Sequence, residues 1–193
     1  VMHAASNPGR KSKEVDIKGT TNLLNAIRDA EVAHILYPSI IGIDKIKYFY
    51  YQNKEQAERL IEDSGIPFTI LRGTQFHELI DQVLSGLGKV PFFLPVPKTF
   101  QLQTIAAGDT AQKLVDYLDI GPGSGAPDFA GPEVMTAESM AKDWLKANKS
   151  GKRLVNLPVW GEVARGFRAG KVTNPEGTEG EITWNEWLKE CKN

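Results

Sequence analysis

Ser39, Tyr50 and Lys54 are the residues whose types and spacing point most directly to chemistry. Tyr50 and Lys54 form a Tyr-x-x-x-Lys pair, so a helix through them presents both on one face. A free tyrosine hydroxyl has a pKa of about 10 and is neutral at pH 7. A neighbouring ammonium favours the phenolate and is expected to bring that pKa down. A phenol so poised gives a proton to a substrate oxygen, or takes one from it, during hydride transfer. Ser39 closes a β-rich run upstream of the pair. The carboxyl ends of strands are where open α/β sheets bind ligands, and a serine hydroxyl there can hold the same substrate oxygen. Tyr-x-x-x-Lys alone arises often by chance, so its weight comes from the elements around it.

Those elements alternate. VMHAAS (residues 1–6) reads as the end of a strand, stopped by Asn7-Pro8-Gly9. The spacing predicts a helix over 13–30, with Gly19 a weak point. HILYP (34–38) is β-rich, and a helix over 48–63 ends at Gly65. PFTILR (67–72) is a strand, 77–87 a short helix, and the proline-rich 88–100 an irregular loop. Further strands are expected at 101–105, 128–130 and 153–157. Further helices are expected at 107–118, 137–147, 162–169 and 184–191. Thr136 is placed as an N-cap, and Thr183 with Glu186 has capping-box spacing. Strands alternating with helices imply an α/β fold with a doubly wound parallel sheet. Residues 1–87 read as sheet core, and residues 88–193 as a substrate-side lobe with the final strands and helices of the same domain.

Composition narrows the function classes. The 193 residues carry 23 Lys+Arg against 24 Asp+Glu, a balance that argues against nucleic acid as partner. No apolar run reaches the roughly 20 residues a membrane span needs. A single cysteine, Cys191, excludes an internal disulfide and cysteine-rich zinc sites, and favours a reducing, cytoplasmic setting. His3, His34 and His77 show no metal-ligand spacing, so no metal is expected. His3 and His34 read as structural; His77, after the loop that follows PFTILR, is the histidine placed to touch substrate. Trp184 and Trp187 are expected to dock the last helix on the core.

Taken in order, these segments resemble the short-chain dehydrogenase/reductase superfamily, in its atypical, extended or NmrA-like branch. VMHAAS is similar to that family's fourth strand, and DIKGTTNLLNAI (16–27) to its N-x-x-G-T-x-N-L-L-x-A helix, with Asp16 where Asn is usual. HILYPSIIG resembles the serine-bearing fifth strand, YYQNKEQAE the catalytic helix, and SGIPFTILRGTQF the sixth strand with its loop. Later, TIAAGDTAQKLVDYL and GPEVMTAESMAKDWL are similar to substrate-side segments. The resemblance implies a Rossmann-like NAD(P)-binding fold. In it Tyr50 is the acid/base, Lys54 binds the nicotinamide ribose and tunes Tyr50, and Ser39 positions the reacting oxygen. It places Ala4, Ala5 and Ser6 on the adenine-ribose side, and Arg72, Gly73, Thr74, Gln75 and Phe76 near the nicotinamide. Gly73-Thr74 replaces the common proline after the arginine.

The glycine-rich phosphate turn of such folds has no counterpart here. Gly121-Pro122-Gly123-Ser124-Gly125 follows a helix and reads as a surface loop. With Val1 inside the fourth strand, the chain is expected to be the carboxyl-side portion of a longer protein whose missing segment completes the NAD or NADP site. The expected function is an NAD(P)-dependent oxidoreductase or epimerase-like enzyme acting on a small organic substrate. An NmrA-like redox sensor without turnover is the alternative, and a scaffold role the third. Substrate, the choice of NAD or NADP, and oligomeric state stay open.

Overall fold

The computed structural model describes residues 1–123 and 128–192. The chain packs as two compact units: Val1–Gly73 with Ala111–Asp128, and Thr74–Thr110 with Phe129–Asn193. The boundary expected after residue 87 therefore falls inside the second unit.

The first unit is built on parallel extended segments. β1 (Ile35–Ile40) pairs in parallel with β2 (Phe68–Gly73), Ile35 opposite Phe68 and Ile40 opposite Gly73. On its other side β1 meets the start of the chain. Met2 bridges Leu36 in parallel, and the His3 amide donates to the Leu36 carbonyl at 2.9 Å. Ile35, Leu36 and Tyr37 are all fully buried, as a central parallel strand covered on both faces requires. α2 (Phe49–Glu62) lies between β1 and β2 in sequence and packs on both. It buries Tyr51, Lys54, Ala57, Glu58 and Ile61 on one face, and Ala57 and Ile61 join Ile35, Tyr37 and Ile70 in the core. Gly65, at φ +74°, makes the left-handed turn that ends this helix and leads to β2.

The helix expected over 13–30 is shorter and less regular. Its first part, Lys13–Gly19, is π-helical, and only α1 (Thr20–Ala26) is α-helical. The Thr20 hydroxyl donates to the Asp16 carbonyl at 2.6 Å and the Thr21 hydroxyl to the Ile17 carbonyl at 3.0 Å. Side-chain donors thus compete for carbonyls at the point where the helix changes type. π-helical stretches are rare overall and are frequent at functional sites.

The second unit departs from an all-parallel sheet. β3 (Gln75–Phe76) runs parallel to β5 (Gln101–Ile105), but β5 pairs antiparallel with β6 (Val134–Thr136). β4 (Phe93–Val96) pairs in parallel with β7 (Arg153–Asn156). β4 lies in the stretch expected to be irregular. It survives Pro95 because it pairs with β7 alone, and an edge strand tolerates a residue with no N–H. The strand expected at 128–130 reduces to isolated bridge residues, Phe129 and Ala130, the latter paired with Thr178. Beside it, a Cβ on Gly131 would lie 1.8 Å from the Thr104 carbonyl oxygen, so only glycine allows that approach.

α3 (His77–Leu87), α5 (Ala137–Ala147) and α7 (Trp184–Lys192) enclose this unit's core with Leu94, Val96 and Leu102. α6 (Glu162–Arg168) adds Phe167, stacked on Phe100. The Ser139 amide donates to the Thr136 hydroxyl at 3.1 Å, the expected N-cap. The Thr183 amide donates to Glu186 at 2.9 Å and the Glu186 amide to the Thr183 hydroxyl at 3.3 Å, the expected capping box. Trp184 and Trp187 stack at 5.5 Å and dock α7 as foreseen. α4 (Ala107–Ile120) carries the chain from the second unit back to the first. Gly121 follows it in a left-handed conformation and no helix starts at Gly121, Pro122 or Gly123, while Ser124 and Gly125 lie outside the described residues. Among the described residues, no helix is long and apolar enough to cross a membrane.

Candidate active site

The site is assembled in the first unit. β1 ends at Ser39-Ile40, α2 carries Tyr50 and Lys54 one turn apart, and the segment after Met2 brings exposed Ala4, Ala5 and Ser6. Ser39 is 8% exposed, and its Oγ has no hydrogen-bond partner. A buried hydroxyl without a partner is costly, so this one is a feature a ligand oxygen would relieve.

Tyr50 is half-buried, and its hydroxyl meets Ser6 Oγ at 2.9 Å. Ser6 Oγ donates to Asp16 Oδ1 at 2.6 Å. Asp16, wholly buried in the π-helical turn, also accepts from the Ser12 hydroxyl at 3.0 Å and the Asn7 amide at 3.3 Å. Asn53, on α2, donates to Ser12 Oγ at 3.0 Å and ties the cluster to the helix.

Lys54 is 4% exposed. Its ammonium donates to Tyr37 Oη at 3.0 Å and to the Pro38 carbonyl at 2.9 Å, and lies 4.2 Å from the Tyr37 ring centroid. Burial brings its pKa down to about 8, against the pull of Asp16 and Glu58. The expected lowering of the Tyr50 pKa is not what the structure holds. Burial raises it, with Asp16 and Tyr48 adding to the rise and the Ser6 hydrogen bond opposing it. The physical reason is that Lys54 faces Tyr37 and Pro38, so the group nearest the phenol is the Ser6–Asp16 chain.

The remaining expected site residues separate by environment. The Arg72 guanidinium is held by Glu58, at 2.7 and 3.1 Å, and Glu58 is buried on α2. The Gly73 carbonyl accepts from the Ile41 amide. In the second unit, Thr74 Oγ1 accepts from the Gly131 amide at 3.0 Å, and Phe76 is 38% exposed. Both polar atoms of the Gln75 carboxamide are buried without a partner.

His77 is fully buried. One ring nitrogen meets Thr104 Oγ1 at 2.8 Å, the other meets the Ile182 carbonyl at 2.9 Å, and Trp184 and Trp187 flank the ring. That environment is a packed core, with neither nitrogen left for the substrate contact expected of it. Burial lowers its pKa below the ordinary 6.5. Above pH 6.5 the ring is neutral both folded and unfolded, and stability is complete. As pH falls below 6.5 the unfolded chain takes up a proton that the folded core resists, so stability is lost. The melting temperature is expected to fall on acidification from about pH 7.5 to pH 5, with His3, also lowered by burial, adding to the slope. A flat melting temperature across that window would contradict this.

Asp16, Tyr37 and Glu58 are the site residues that motif reading passes over. Asp16 had a signal, its departure from asparagine in the helix pattern. Tyr37 and Glu58 matter through partners 17 and 14 residues away, and no local spacing reveals those.

Residues 1–119 match the NAD(P)H-binding family, and the chain belongs to that family. No curated protein matches it in sequence. Among solved structures it is similar to the NADPH-dependent quinone oxidoreductase of Escherichia coli complexed with NADPH, with TM-score 0.78 and 17% identity over 100% of this chain and 76% of that one. It is also similar to a nucleoside-diphosphate-sugar epimerase from Staphylococcus aureus, with TM-score 0.75 and 17% identity over 98% of this chain and 75% of the other. A UDP-glucuronic acid 4-epimerase from Bacillus cereus in complex with NAD gives TM-score 0.68 and 16% identity over 97% and 70%. These likenesses establish a Rossmann-like NAD(P)-binding fold.

NAD or NADP is the cofactor class of the family. The residues present fit its nicotinamide end. The Ser39 hydroxyl is unpartnered, and the Lys54 ammonium, whose pKa burial brings down to about 8, still carries its charge at pH 7. Among the described residues no glycine-rich turn leads from a strand into a helix N-terminus, the usual pyrophosphate cradle.

Proposed function

We propose that this protein is a soluble, cytoplasmic NAD(P)-dependent oxidoreductase or epimerase-like enzyme of the short-chain dehydrogenase/reductase type, acting on a small organic substrate. The observation that carries the reading is the unpartnered Ser39 hydroxyl at the end of β1, in the same unit as Tyr50 and Lys54 of α2, in a chain of the NAD(P)H-binding family. Bound nicotinamide would supply or accept the hydride. Ser39 holds the substrate oxygen, which relieves its buried hydroxyl. Tyr50 moves the proton at that oxygen. Lys54 binds the ribose, and Ala4 and Ala5 border the dinucleotide with Gly73.

The decisive experiment follows NADH and NADPH oxidation against a panel of aldehydes, ketones and quinones, with the reverse reaction on alcohols and sugar nucleotides. Turnover of one class supports the reading. Dinucleotide binding without turnover across the panel would sink it in favour of an NmrA-like sensor. One feature favours that second reading: the raised pKa of Tyr50, with Lys54 turned to Tyr37, is a resting state without a phenolate.

A further inference from the structure

Ser6 has one hydroxyl proton, and it is directed at Asp16. The contact between Ser6 Oγ and Tyr50 Oη therefore has a fixed polarity: Tyr50 donates and Ser6 accepts. With its own proton directed at Ser6, the phenol turns its lone pairs to whatever else approaches. A tyrosine held in this way is prepared to receive a proton from a substrate hydroxyl without first becoming a phenolate. The chain is short, 2.9 Å and then 2.6 Å, and ends on a carboxylate that is wholly buried and braced by Ser12 and the Asn7 amide.

We propose that Asp16 and Ser6 are positioning residues for Tyr50, which relay its proton to the Asp16 carboxylate while the phenol stays neutral. The inference rests on the proposed oxidoreductase reading and deepens it. In alcohol oxidation the substrate O–H bond breaks and its proton binds Tyr50 Oη. The Tyr50 O–H proton passes to Ser6 Oγ, and the Ser6 proton passes to Asp16 Oδ1. The C–H electron pair leaves with the hydride to the dinucleotide oxidant which that reading assigns. The carboxylate loses one negative charge, and neither hydroxyl changes charge. Carbonyl reduction runs the same chain backwards. Such a relay suits a buried tyrosine better than a phenolate does, because it places no charge on the phenol. It also assigns a use to the aspartate that stands where asparagine is usual: an asparagine amide cannot take up the last proton.

Other titratable groups in this surrounding are His3 from the first extended segment, Tyr37 from β1, and Tyr48 and Lys54 from α2 and its N-cap. The test therefore reads Tyr50 itself. In the cofactor-free protein, the ring carbon bonded to Oη is labelled with 13C in all tyrosines, and Tyr50→Phe identifies the Tyr50 signal. Asp16→Asn removes a negative charge that holds the Tyr50 pKa up, so its titration midpoint is expected to move to lower pH. Ser6→Ala removes the hydroxyl that links the phenol to Asp16, so the midpoint is expected to move away from its wild-type value. Ser6 is exposed and Asp16→Asn keeps the side-chain shape, and the melting temperature of each variant checks that it is folded before its titration is read. A Tyr50 signal that responds to neither substitution overturns the inference, whatever the enzyme does.

A second arm uses the holoenzyme. Asp16→Asn is expected to lower kcat for alcohol oxidation about 10-fold or more with KM little changed, and Ser6→Ala to abolish the multi-proton solvent isotope effect. If the protein turns over but these variants match the wild type, the relay fails and the oxidoreductase reading stands. If nothing turns over while the tyrosine titration shifts as described, that reading fails and the hydrogen-bonded coupling stands.

Discussion

Replacement of Tyr50 by phenylalanine is expected to lower turnover about 100- to 10,000-fold, the usual contribution of one general acid or base. The substitution removes a single oxygen. The ring keeps its contacts to Tyr48, at 6.4 Å, and to Tyr51, at 6.0 Å between centroids. The hydrogen bond lost is the one to Ser6, which is exposed and still donates to Asp16. A partly exposed neutral hydrogen bond contributes about 1 kcal/mol, so the fold and dinucleotide affinity should survive. The expected signature is thus a collapse of kcat with little change in melting temperature. Steady-state rates and thermal denaturation of the same preparation measure both. A fall in kcat below about tenfold would remove Tyr50 from the chemistry.

Trp184→Ala tests the other unit and should destabilise the protein by about 3–5 kcal/mol. Trp184 is fully buried, donates from Nε1 to the Met140 carbonyl at 3.2 Å, and stacks on Trp187 with ring planes 11° apart. It also lies 5.6 Å from the His77 ring, so its removal empties space at the centre of the cluster joining α3, α5 and α7. Most domains have only about 5–15 kcal/mol of stability to lose. Urea denaturation followed by far-ultraviolet circular dichroism measures the loss. A shift of less than about 1 kcal/mol would mean that the α7 cluster is peripheral to stability.

Several elements were legible from spacing and punctuation. The Tyr50/Lys54 face, the α3, α5 and β5 boundaries, the Thr136 cap and the Thr183–Glu186 box are local features, decided within one or two turns of chain. The misreadings have longer-range causes. β4 was hidden by its prolines, because its reason for being a strand is β7, which pairs Phe93 with Arg153. The spacing of the first helix is regular, and its π turn is not visible in it because Asp16 there bonds outside the helix, to Ser6 ten residues away. His77 read as a substrate contact because its loop position was visible and its Ile182 partner, 105 residues on, was not.

The sequence by itself determined the α/β class, the NAD(P)-type motif order and the helix face that bears tyrosine and lysine. Those depend on hydrophobic period, side-chain type and i,i+4 geometry, all set by neighbours in the chain. Only the tertiary structure decided which groups surround the two side chains. It turned Lys54 to Tyr37 and Pro38, raised the Tyr50 pKa, left Ser39 without a partner and joined Tyr50 through Ser6 to Asp16. Hydrogen-bond direction and desolvation belong to groups brought together across 44 residues in the case of Ser6 and Tyr50, and no local pattern encodes them.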